Sequence, residues 1–230
     1  MIYLNEEKLN KIKLQEDNFF VAIDFDKTIT SRKSSDSWGV CGNILGKEFN
    51  EKSELLYQKY APIELNYEIS FKEKNKAMEE WYYKNMNLFY DYHLTKSQLE
   101  ESISNSDIIF RDGAKEFLKE MFQKDIPVII LSAGIGNVIE SFLRNNNCYY
   151  DNIYIISNFI KFDDDGNMKK LDIELIHTLN KTMKNHIPIE FEEKIKKRKY
   201  RLLFGDFIED KNMVSKNEWD ETIFIRLFRY

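Results

Sequence analysis

An apolar segment that ends in two acidic residues constrains this chain more than any other feature. Residues 19–25 are apolar apart from Asp24, which is typical of a strand buried on both faces of a parallel sheet. Because side chains alternate along a strand, Asp24 and Asp26 are predicted to emerge on the same side. Two carboxylates this close repel each other unless a cation or a proton lies between them. The segment therefore predicts a divalent metal beside an attacking carboxylate, or else an acidic cap on a following helix.

The composition limits the class of protein and its partners. With 230 residues, of which 43% are hydrophobic, the chain is long and apolar enough for one sizeable core or for a core domain with an insertion. Its formal net charge of -5 argues against a nucleic-acid partner, which needs basic surface. Cys41 and Cys148 have neither metal-ligand nor redox spacing, and no segment has the length of a signal-peptide core or a membrane span. We therefore expect a soluble, cytoplasmic protein without a membrane partner, whose oligomeric state stays open although a monomer fits.

Strand-like and helix-like patterns alternate along the chain, which predicts an α/β fold with a mostly parallel sheet. After a polar, helical start, strands are predicted at residues 19–25, 127–132, 153–157, 200–204 and 222–228. A hairpin is predicted at residues 159–168. Further helices are predicted at residues 112–123, from Gly134-Ile135-Gly136 onward, and at about residues 173–181.

One long block lacks strand patterns. Residues 32–105 carry Glu, Lys and aromatic residues at helical spacing, which predicts a helical cap of residues 32–106 inserted into a core of residues 1–31 and 107–230. Most of its aromatic residues are predicted to pack helices together, while one or two are available to stack on a base. Such a cap would exclude water as a lid does. The basic run at residues 194–199 is predicted to be a solvated face rather than a nucleic-acid site.

Three of the predicted strands end in polar residues suited to handling a phosphate. These residues are Asp24 and Asp26, then Ser132, Ala133 and Gly134, and finally Asp206. Ser132 offers a hydroxyl, and the two small residues after it would let backbone N–H groups approach an anion at a helix N-terminus. The same three residues also fit an ordinary helix start. The occurrence of suitable residues at three strand ends is therefore stronger evidence for a phosphate site than any one strand end alone.

Asp206 and Asp210 are spaced by one helical turn, so both are predicted to face the same point. Hard cations such as Mg2+ prefer carboxylate oxygens of this kind. The alternative is a pair of acids at a helix start, although Gly205 fits a close backbone approach that a cap does not need. An ammonium is still needed to offset the phosphate. Lys181, near the end of its predicted helix, is the candidate for this ammonium. The alternative is that Lys181 is solvated and interacts only with the helix dipole.

In this order, the motifs resemble those of the haloacid dehalogenase (HAD) superfamily of phosphotransferases. Further segments are similar to the cytosolic 5'-nucleotidase III family, also called pyrimidine 5'-nucleotidases, at residues 131–138, 157–160, 174–177 and 180–181 and at 62–64 followed by 80–81. The likeness covers about residues 20–212. The Ser-Ala-Gly-Ile-Gly string that begins at Ser132 is far more specific than the Asp-x-Asp pattern.

The resemblance implies a Rossmann-like HAD core with an inserted helical cap, and Mg2+-dependent hydrolysis of nucleoside 5'-monophosphates, pyrimidine ones preferred. It makes Asp24 the nucleophile that takes the phosphoryl group, and Asp26 the acid that protonates the leaving alcohol and then activates water. The phosphate-orienting positions it implies are Thr28, Ser132 and Lys181, with Ala133 and Gly134 alongside. The implied Mg2+ ligands are Asp24, Asp206 and the backbone carbonyl of Asp26, with Asp210 beside them. Glu64 matches the position that contacts the nucleobase.

The chain departs from the family pattern in two places. Phe207, Ile208 and Glu209 replace the small polar residues expected between Gly205-Asp206 and Asp210, and the segment after Thr30 is shorter. These differences leave three hypotheses. The first is a nucleotidase, the second is a phosphatase or phosphotransferase acting on another small phosphometabolite, and the third is a nucleotide-binding protein without catalysis.

Overall fold

A single sheet organises the computed structural model, which describes residues 2–4, 12–171 and 173–227. Its strands are β1 (Ile2–Leu4), β2 (Phe19–Ile23), β3 (Val128–Ile135), β4 (Ile153–Asn158), β5 (Tyr200–Gly205) and β6 (Thr222–Leu227). Their order across the sheet is β1-β6-β5-β2-β3-β4. All neighbours pair in parallel except β1, which runs antiparallel to β6. The predicted α/β fold with a mostly parallel sheet is therefore confirmed.

Helices cover the sheet and fill the segment between β2 and β3. They are α1 (Ser37–Gly42), α2 (Lys47–Leu65), α3 (Phe71–Asp91), α4 (Lys96–Ser104), α5 (Ala114–Gln123), α6 (Gly136–Asn145), α7 (Met183–His186) and α8 (Ile189–Ile195). Local sequence explains several of their starts. Ser70 with Glu73 and Thr95 with Gln98 form capping boxes at α3 and α4, and Asp36 caps α1.

Strand β2 lies between β5 and β3, so the carboxyl ends of these three strands lie side by side. Ile23 pairs with Phe204 on one side and with Ile130 on the other. The three polar strand ends predicted from the sequence therefore meet at one edge of the sheet, which is where ligands bind in open α/β sheets.

The side chains of β2 divide between two apolar clusters, one on each face of the sheet. Phe19, Val21 and Ile23 belong to the larger cluster, whereas Phe20 and Ala22 belong to the smaller one on the other face. The larger cluster also contains side chains of the segment between β2 and β3, among them Cys41, Met86, Phe89 and Leu99. The predicted division into a core and a cap stays a prediction, because this cluster joins the two parts.

One sequence-based expectation for secondary structure is wrong. The helix predicted at residues 173–181 is absent from the described part of that segment, which forms bends and turns instead. The helix predicted to start within Gly134-Ile135-Gly136 is confirmed and begins at Gly136, directly after β3 ends at Ile135. Of the polar, helical start, residues 5–11 lie outside the described residues, whereas Ile2–Leu4 form a strand and residues 12–18 form a loop. Residue 228, the predicted end of the last strand, also lies outside them.

Side-chain hydrogen bonds explain the missing helix. The Nδ2 atom of Asn158 donates to the carbonyls of Ile176 (2.7 Å) and Ala133 (3.0 Å), and the N–H of Ile176 donates to its Oδ1 atom at 2.8 Å. The N–H of His177 donates to Oδ1 of Asn180 at 2.7 Å. These side chains take the backbone groups that an α-helix would pair with each other. The segment is thereby held against the end of β4.

Within the described residues, no helix is both long and apolar enough to cross a membrane. Cys41 and Cys148 are both buried and free.

The hydrogen bonds of Asn158 generate a prediction about stability. Asn158→Ala is expected to lower the free energy of unfolding by about 2–4 kcal/mol, because buried backbone groups of Ala133 and Ile176 lose their partners. The matched control is Asn152→Ala, directly before β4. This substitution removes a hydrogen-bond donor only from the carbonyl of Ile126, because Oδ1 of Asn152 has no partner among the described residues. Its expected loss is about 1 kcal/mol or less. Urea denaturation measures both values, and equal losses would contradict the prediction.

Candidate active site

Three carboxylates from two neighbouring strand ends meet in the buried interior. Asp24 follows β2, and Asp206 and Asp210 follow β5, with exposed fractions of 6%, 3% and 6%. One oxygen from each lies within 4.8 Å of the others. The ammonium of Lys181 lies between two of them, 2.7 Å from Oδ1 of Asp24 and 2.9 Å from Oδ1 of Asp210. We refer to Asp24, Asp206 and Asp210 as the acidic triad.

The electrostatics of the triad favour a further cation. Burial raises the pKa of Asp24; Lys181 opposes this shift, and Asp210 and Asp206 add to it. Burial alone would lower the pKa of Lys181. The neighbouring carboxylates of Asp210 and Asp24 have the larger combined effect and raise the pKa of Lys181 above its usual value. Lys181 contacts two of the three carboxylates, and carboxylate oxygens are the ligands that Mg2+ prefers. The oxygen-rich, buried donor set therefore fits Mg2+.

A sharp turn directly after Asp24 separates it from Asp26. Residues Phe25–Ile29 form a π-helical turn in which Lys27 has a positive φ of 64°. The guanidinium of Arg111 donates to the carbonyls of Thr28 (2.9 Å) and Lys27 and so holds this turn. Because β2 ends at Ile23, the alternation predicted for the two acids does not extend to Asp26.

Asp26 is held by a different partner from Asp24. Its Oδ1 accepts the N–H of Ser37 at 3.0 Å, and its Oδ2 accepts the Ser37 hydroxyl at 2.7 Å. Burial, with a contribution from Asp36, raises the pKa of Asp26 to about 7, although the two bonds from Ser37 lower it. Among the described residues, its carboxylate does not belong to the acidic triad. Asp26 is thus able to carry a proton near neutral pH beside a separate carboxylate cluster.

The end of β3 provides the third wall. The hydroxyl of Ser132 accepts the N–H of Gly134 at 3.0 Å, and the Ala133 carbonyl accepts the Trp38 indole N–H at 3.1 Å. These residues lie in an irregular strand end, where the register with β4 shifts between Leu131 and Ile135. The alternative in which these three residues start a helix is therefore wrong, because β3 continues through Ile135.

A close backbone approach fixes Asp210, as Gly205 suggested. A Cβ atom at Gly205 would lie 2.3 Å from Oδ2 of Asp210, so only glycine fits there. The same oxygen accepts the N–H of Phe207 at 2.9 Å. The unexpected residues Phe207, Ile208 and Glu209 therefore leave Asp210 within the triad, and Glu209 lines the cavity beside it.

The triad forms part of the wall of a cavity of about 720 Å³, which is within the usual size range of small-molecule sites. Of the predicted site residues, Asp24, Asp26, Glu64, Ser132, Ala133, Gly134, Lys181, Asp206 and Asp210 line it. Thr28 is not among the lining residues; it is buried, and its hydroxyl has no hydrogen-bond partner in the described ranges.

The helices between β2 and β3 form another part of the cavity wall. Glu64 near the end of α2 lines it together with Trp81, Tyr82 and Asn85 of α3. The indole N–H of Trp81 and Oδ1 of Asn85 are buried and have no hydrogen-bond partner among the residues that the structure describes. Trp81 stacks on Tyr60, with ring centroids 6.0 Å apart. This part of the wall offers hydrogen-bonding groups and an aromatic ring in addition to the acidic triad.

Contacts from this wall reach the segment that carries Lys181. The hydroxyl of Tyr83 donates to the carbonyl of Ile173 at 2.8 Å, and the ring of Tyr82 contacts the ring of His177. Burial lowers the pKa of His177 to about 4, so the ring is neutral there. The prediction of Lys181 as the cation beside the nucleophile agrees with its position, although the predicted helix around it does not exist.

Sequence reasoning did not identify Ser37, Arg111 or Asn158. Each acts on the site through a partner distant in the sequence: 11 residues for Ser37 with Asp26, 83 for Arg111 with Thr28, and 25 for Asn158 with Ala133. No local pattern marks a residue whose role depends on such a partner.

Comparison with known proteins identifies the family. The profile of pyrimidine 5'-nucleotidase (UMPH-1) matches residues 26–226. The chain belongs to this family. Its members are 5'-nucleotidases, so the chain is an enzyme of the phosphoric monoester hydrolase class, and the predicted family is confirmed. The hypothesis of a non-catalytic binding protein is thereby set aside.

Individual relatives agree with the family assignment. The chain is 31% identical over 216 residues to 7-methylguanosine phosphate-specific 5'-nucleotidase A of Xenopus laevis, covering 90% of this chain and 74% of the relative. The crystal structure of cytosolic 5'-nucleotidase IIIB bound to cytidine matches with a TM-score of 0.80 and 26% identity, covering 96% of this chain and 79% of the other.

A more distant structural likeness concerns the fold alone. A phosphoserine phosphatase structure, solved as an analogue of a phospho-aspartyl intermediate, has a TM-score of 0.57 at 19% identity and covers 86% of this chain and 82% of the other. The sheet and its helices therefore have the HAD-type fold that the sequence motifs predicted.

Proposed function

We propose that this family member hydrolyses nucleoside 5'-monophosphates to nucleoside and phosphate, through an aspartyl-phosphate on Asp24. One observation carries the proposal. Asp24 is buried against Lys181 in the wall of a cavity of about 720 Å³, and Glu64 and Trp81 line the same cavity. The phosphate end and the base end of a nucleotide thus each have a chemically suitable wall.

The first step transfers the phosphoryl group to the enzyme. A carboxylate oxygen of Asp24 attacks phosphorus, and the bond between phosphorus and the 5' oxygen breaks. The bonding electrons stay with the 5' oxygen, which takes the proton of the Asp26 carboxyl group. Lys181 holds Asp24 in place and offsets negative charge, while the hydroxyl of Ser132, which accepts the N–H of Gly134, donates its proton to a phosphate oxygen. The nucleoside then leaves.

The second step restores the enzyme. The Asp26 carboxylate takes a proton from water, whose oxygen attacks phosphorus while the bond to Asp24 breaks. Inorganic phosphate leaves, and Asp24 is again a carboxylate. Because Asp26 lies outside the acidic triad and is held separately by Ser37, its protonation does not disturb the ion pair of Asp24 with Lys181.

We propose Mg2+ as the cofactor. Asp24, Asp206 and Asp210 would hold it, together with the backbone carbonyl of Asp26 that the family resemblance suggests. When bound, the ion offsets the charge on the phosphate and lowers the repulsion between Asp24 and the incoming anion.

For the base, we propose that Glu64 accepts a hydrogen bond from an exocyclic amine, which favours cytosine over uracil. The name of the cytidine-bound relative supports a pyrimidine substrate, and the name of the Xenopus laevis relative makes 7-methylguanosine 5'-monophosphate the second candidate. Guanine also has an exocyclic amine, so the same glutamate suits both. The partner is a small molecule, and the name of the cytosolic relative supports a cytoplasmic location.

Substitution of the nucleophile tests the reaction path. Asp24→Asn is expected to lower kcat by at least about 10³-fold, because the amide cannot form the aspartyl-phosphate. Rapid acid quenching followed by mass spectrometry should find one phosphoryl group on Asp24 of the wild type and none on the variant. Asp164→Asn, on the exposed hairpin, is the matched control and should keep full activity. Substantial turnover by Asp24→Asn would refute the proposed path.

Removal of metal tests the cofactor. EDTA is expected to abolish activity and Mg2+ to restore it, and Asp206→Asn should raise the Mg2+ concentration for half-maximal activity about tenfold or more. A second readout is the melting temperature, which Mg2+ should raise in the wild type and raise less in the variant. Asp164→Asn, on the exposed hairpin, is again the control and should behave as the wild type. Identical Mg2+ dependence of Asp206→Asn and wild type would contradict the site.

A substrate panel tests base recognition. We expect a higher kcat/KM for CMP and 7-methylguanosine 5'-monophosphate, whose bases have an exocyclic amine, than for UMP, and the lowest for sugar phosphates, which have no base. Glu64→Gln should lower kcat/KM for CMP about tenfold or more, because a charged acceptor is lost. Glu51→Gln, which changes an exposed acid of the same helix, is the control. Equal rates on all substrates would count against recognition by Glu64.

A further inference from the structure

A single serine contacts both oxygens of Asp26. We propose that Ser37 is a positioning residue, which holds the Asp26 carboxyl group in the orientation needed to protonate the leaving 5' oxygen. The inference rests on the proposed function, because it concerns the acid of that reaction. It adds a residue that lies outside the motifs from which the function was argued.

The hydrogen bonds around Ser37 define a fixed direction. Its N–H donates to Oδ1 of Asp26 at 3.0 Å, and its hydroxyl donates to Oδ2 at 2.7 Å. The same hydroxyl oxygen accepts the N–H of Ile135 at 3.0 Å. Because a hydroxyl has one proton, the bond from Ile135 leaves that proton directed at Asp26. Ser37 is fully buried, so water does not compete for these bonds.

The surroundings keep Ser37 in this place. It is the first residue of α1, and Asp36 fixes the start of that helix by accepting the N–H of Gly39 at 2.7 Å. Gly134 leaves the necessary space, since a Cβ atom there would lie 2.1 Å from the Ser37 hydroxyl and 2.8 Å from Oδ2 of Asp26. Three segments distant in the sequence thus meet at one hydroxyl group.

This arrangement meets a specific need of Asp26. The acid lies in the turn after β2 rather than in the strand, and rotation about the last bond of an aspartate side chain is only weakly restricted. Two bonds from one rigid residue fix that rotation. Each carboxyl oxygen still has a second lone-pair position, so one of them remains available to carry the transferred proton.

The leaving group distinguishes positioning from mere stabilisation. When the bond from phosphorus to the 5' oxygen breaks, the electron pair goes to an alkoxide that needs the Asp26 proton. A sulfur atom in the same bridging position leaves as a thiolate, which is far less basic and needs little assistance. The base, ribose and phosphate are the same in both substrates, so recognition of the nucleotide cancels in the comparison.

The experiment compares kcat/KM for CMP and for its analogue with sulfur as the bridging 5' atom, in the Mg2+-loaded enzyme. This parameter covers the steps up to cleavage of that bond, so hydrolysis of the intermediate does not contribute. Ser37→Ala should lose about tenfold or more with CMP and less than about threefold with the analogue. Asp26→Asn should show the same selective loss, at about 10²-fold or more with CMP.

Ser34→Ala is the matched control. Ser34 is a buried serine in the loop that leads into α1. Its hydroxyl also makes two hydrogen bonds: it accepts the N–H of Ile109 at 3.0 Å and donates to the carbonyl of Ile109 at 3.2 Å. Any loss in this variant should be equal for the two substrates. The ratio of the two substrates is independent of the fraction of folded enzyme, and Ser37→Cys, with a weak donor of similar size, gives the same test if the alanine variant does not fold.

The outcomes separate the two proposals. A selective loss in Asp26→Asn but an equal loss in Ser37→Ala would overturn the role of Ser37 and leave the proposed function intact. The same selective loss in Ser34→Ala would also overturn it, because the effect would then follow from packing of the loop. An equal loss in Asp26→Asn would overturn the role of Asp26 as the acid, and with it the role of Ser37.

Discussion

The ion pairs of one buried lysine with two buried carboxylates are the interactions on which this site depends. Asp24, Asp206 and Asp210 are placed together by the fold, and carboxylates removed from water repel one another unless positive charge is supplied. Lys181 supplies part of it, and removal of one partner of such a pair usually costs about 3–5 kcal/mol. The segment that carries Lys181 must therefore be held firmly, which explains its bonds to Asn158 and Asn180.

The sheet and the loops contribute differently to the site. The sheet brings Asp24, Ser132 and Asp206 together because β5, β2 and β3 are adjacent and parallel, so no other contact is needed to bring their ends side by side. The loops then decide orientation. The π-helical turn after Asp24 places Asp26 beside Ser37 and outside the triad, so two acids that lie one residue apart have different surroundings, as the different roles proposed for them require.

Features that depend on neighbouring residues were predictable from the sequence, whereas features that depend on contacts between residues far apart in the chain were not. The strand ends carrying Asp24, Ser132 and Asp206 were predictable because burial of a parallel strand leaves a continuous apolar run that ends visibly. The helix around Lys181 was predicted wrongly because Asn158, 18 residues from Ile176, takes the backbone groups of that segment. Ser37 was not found because its second contact, with Ile135, spans 98 residues. The three-residue strand β1 is too short for any periodicity.

The apolar cluster shared by the sheet and the inserted helices has a consequence for evolution and engineering. Phe25 and Ile130 of the sheet side are buried in the same cluster as Met86 and Phe89 of the insertion. Deleting the insertion would expose these side chains to water, at a cost proportional to the apolar area uncovered. Replacement of the insertion by that of a relative would have to preserve its apolar underside, even where the residues facing the cavity change. The inner surface of the insertion is therefore expected to diverge slowly, and specificity to diverge through the cavity wall.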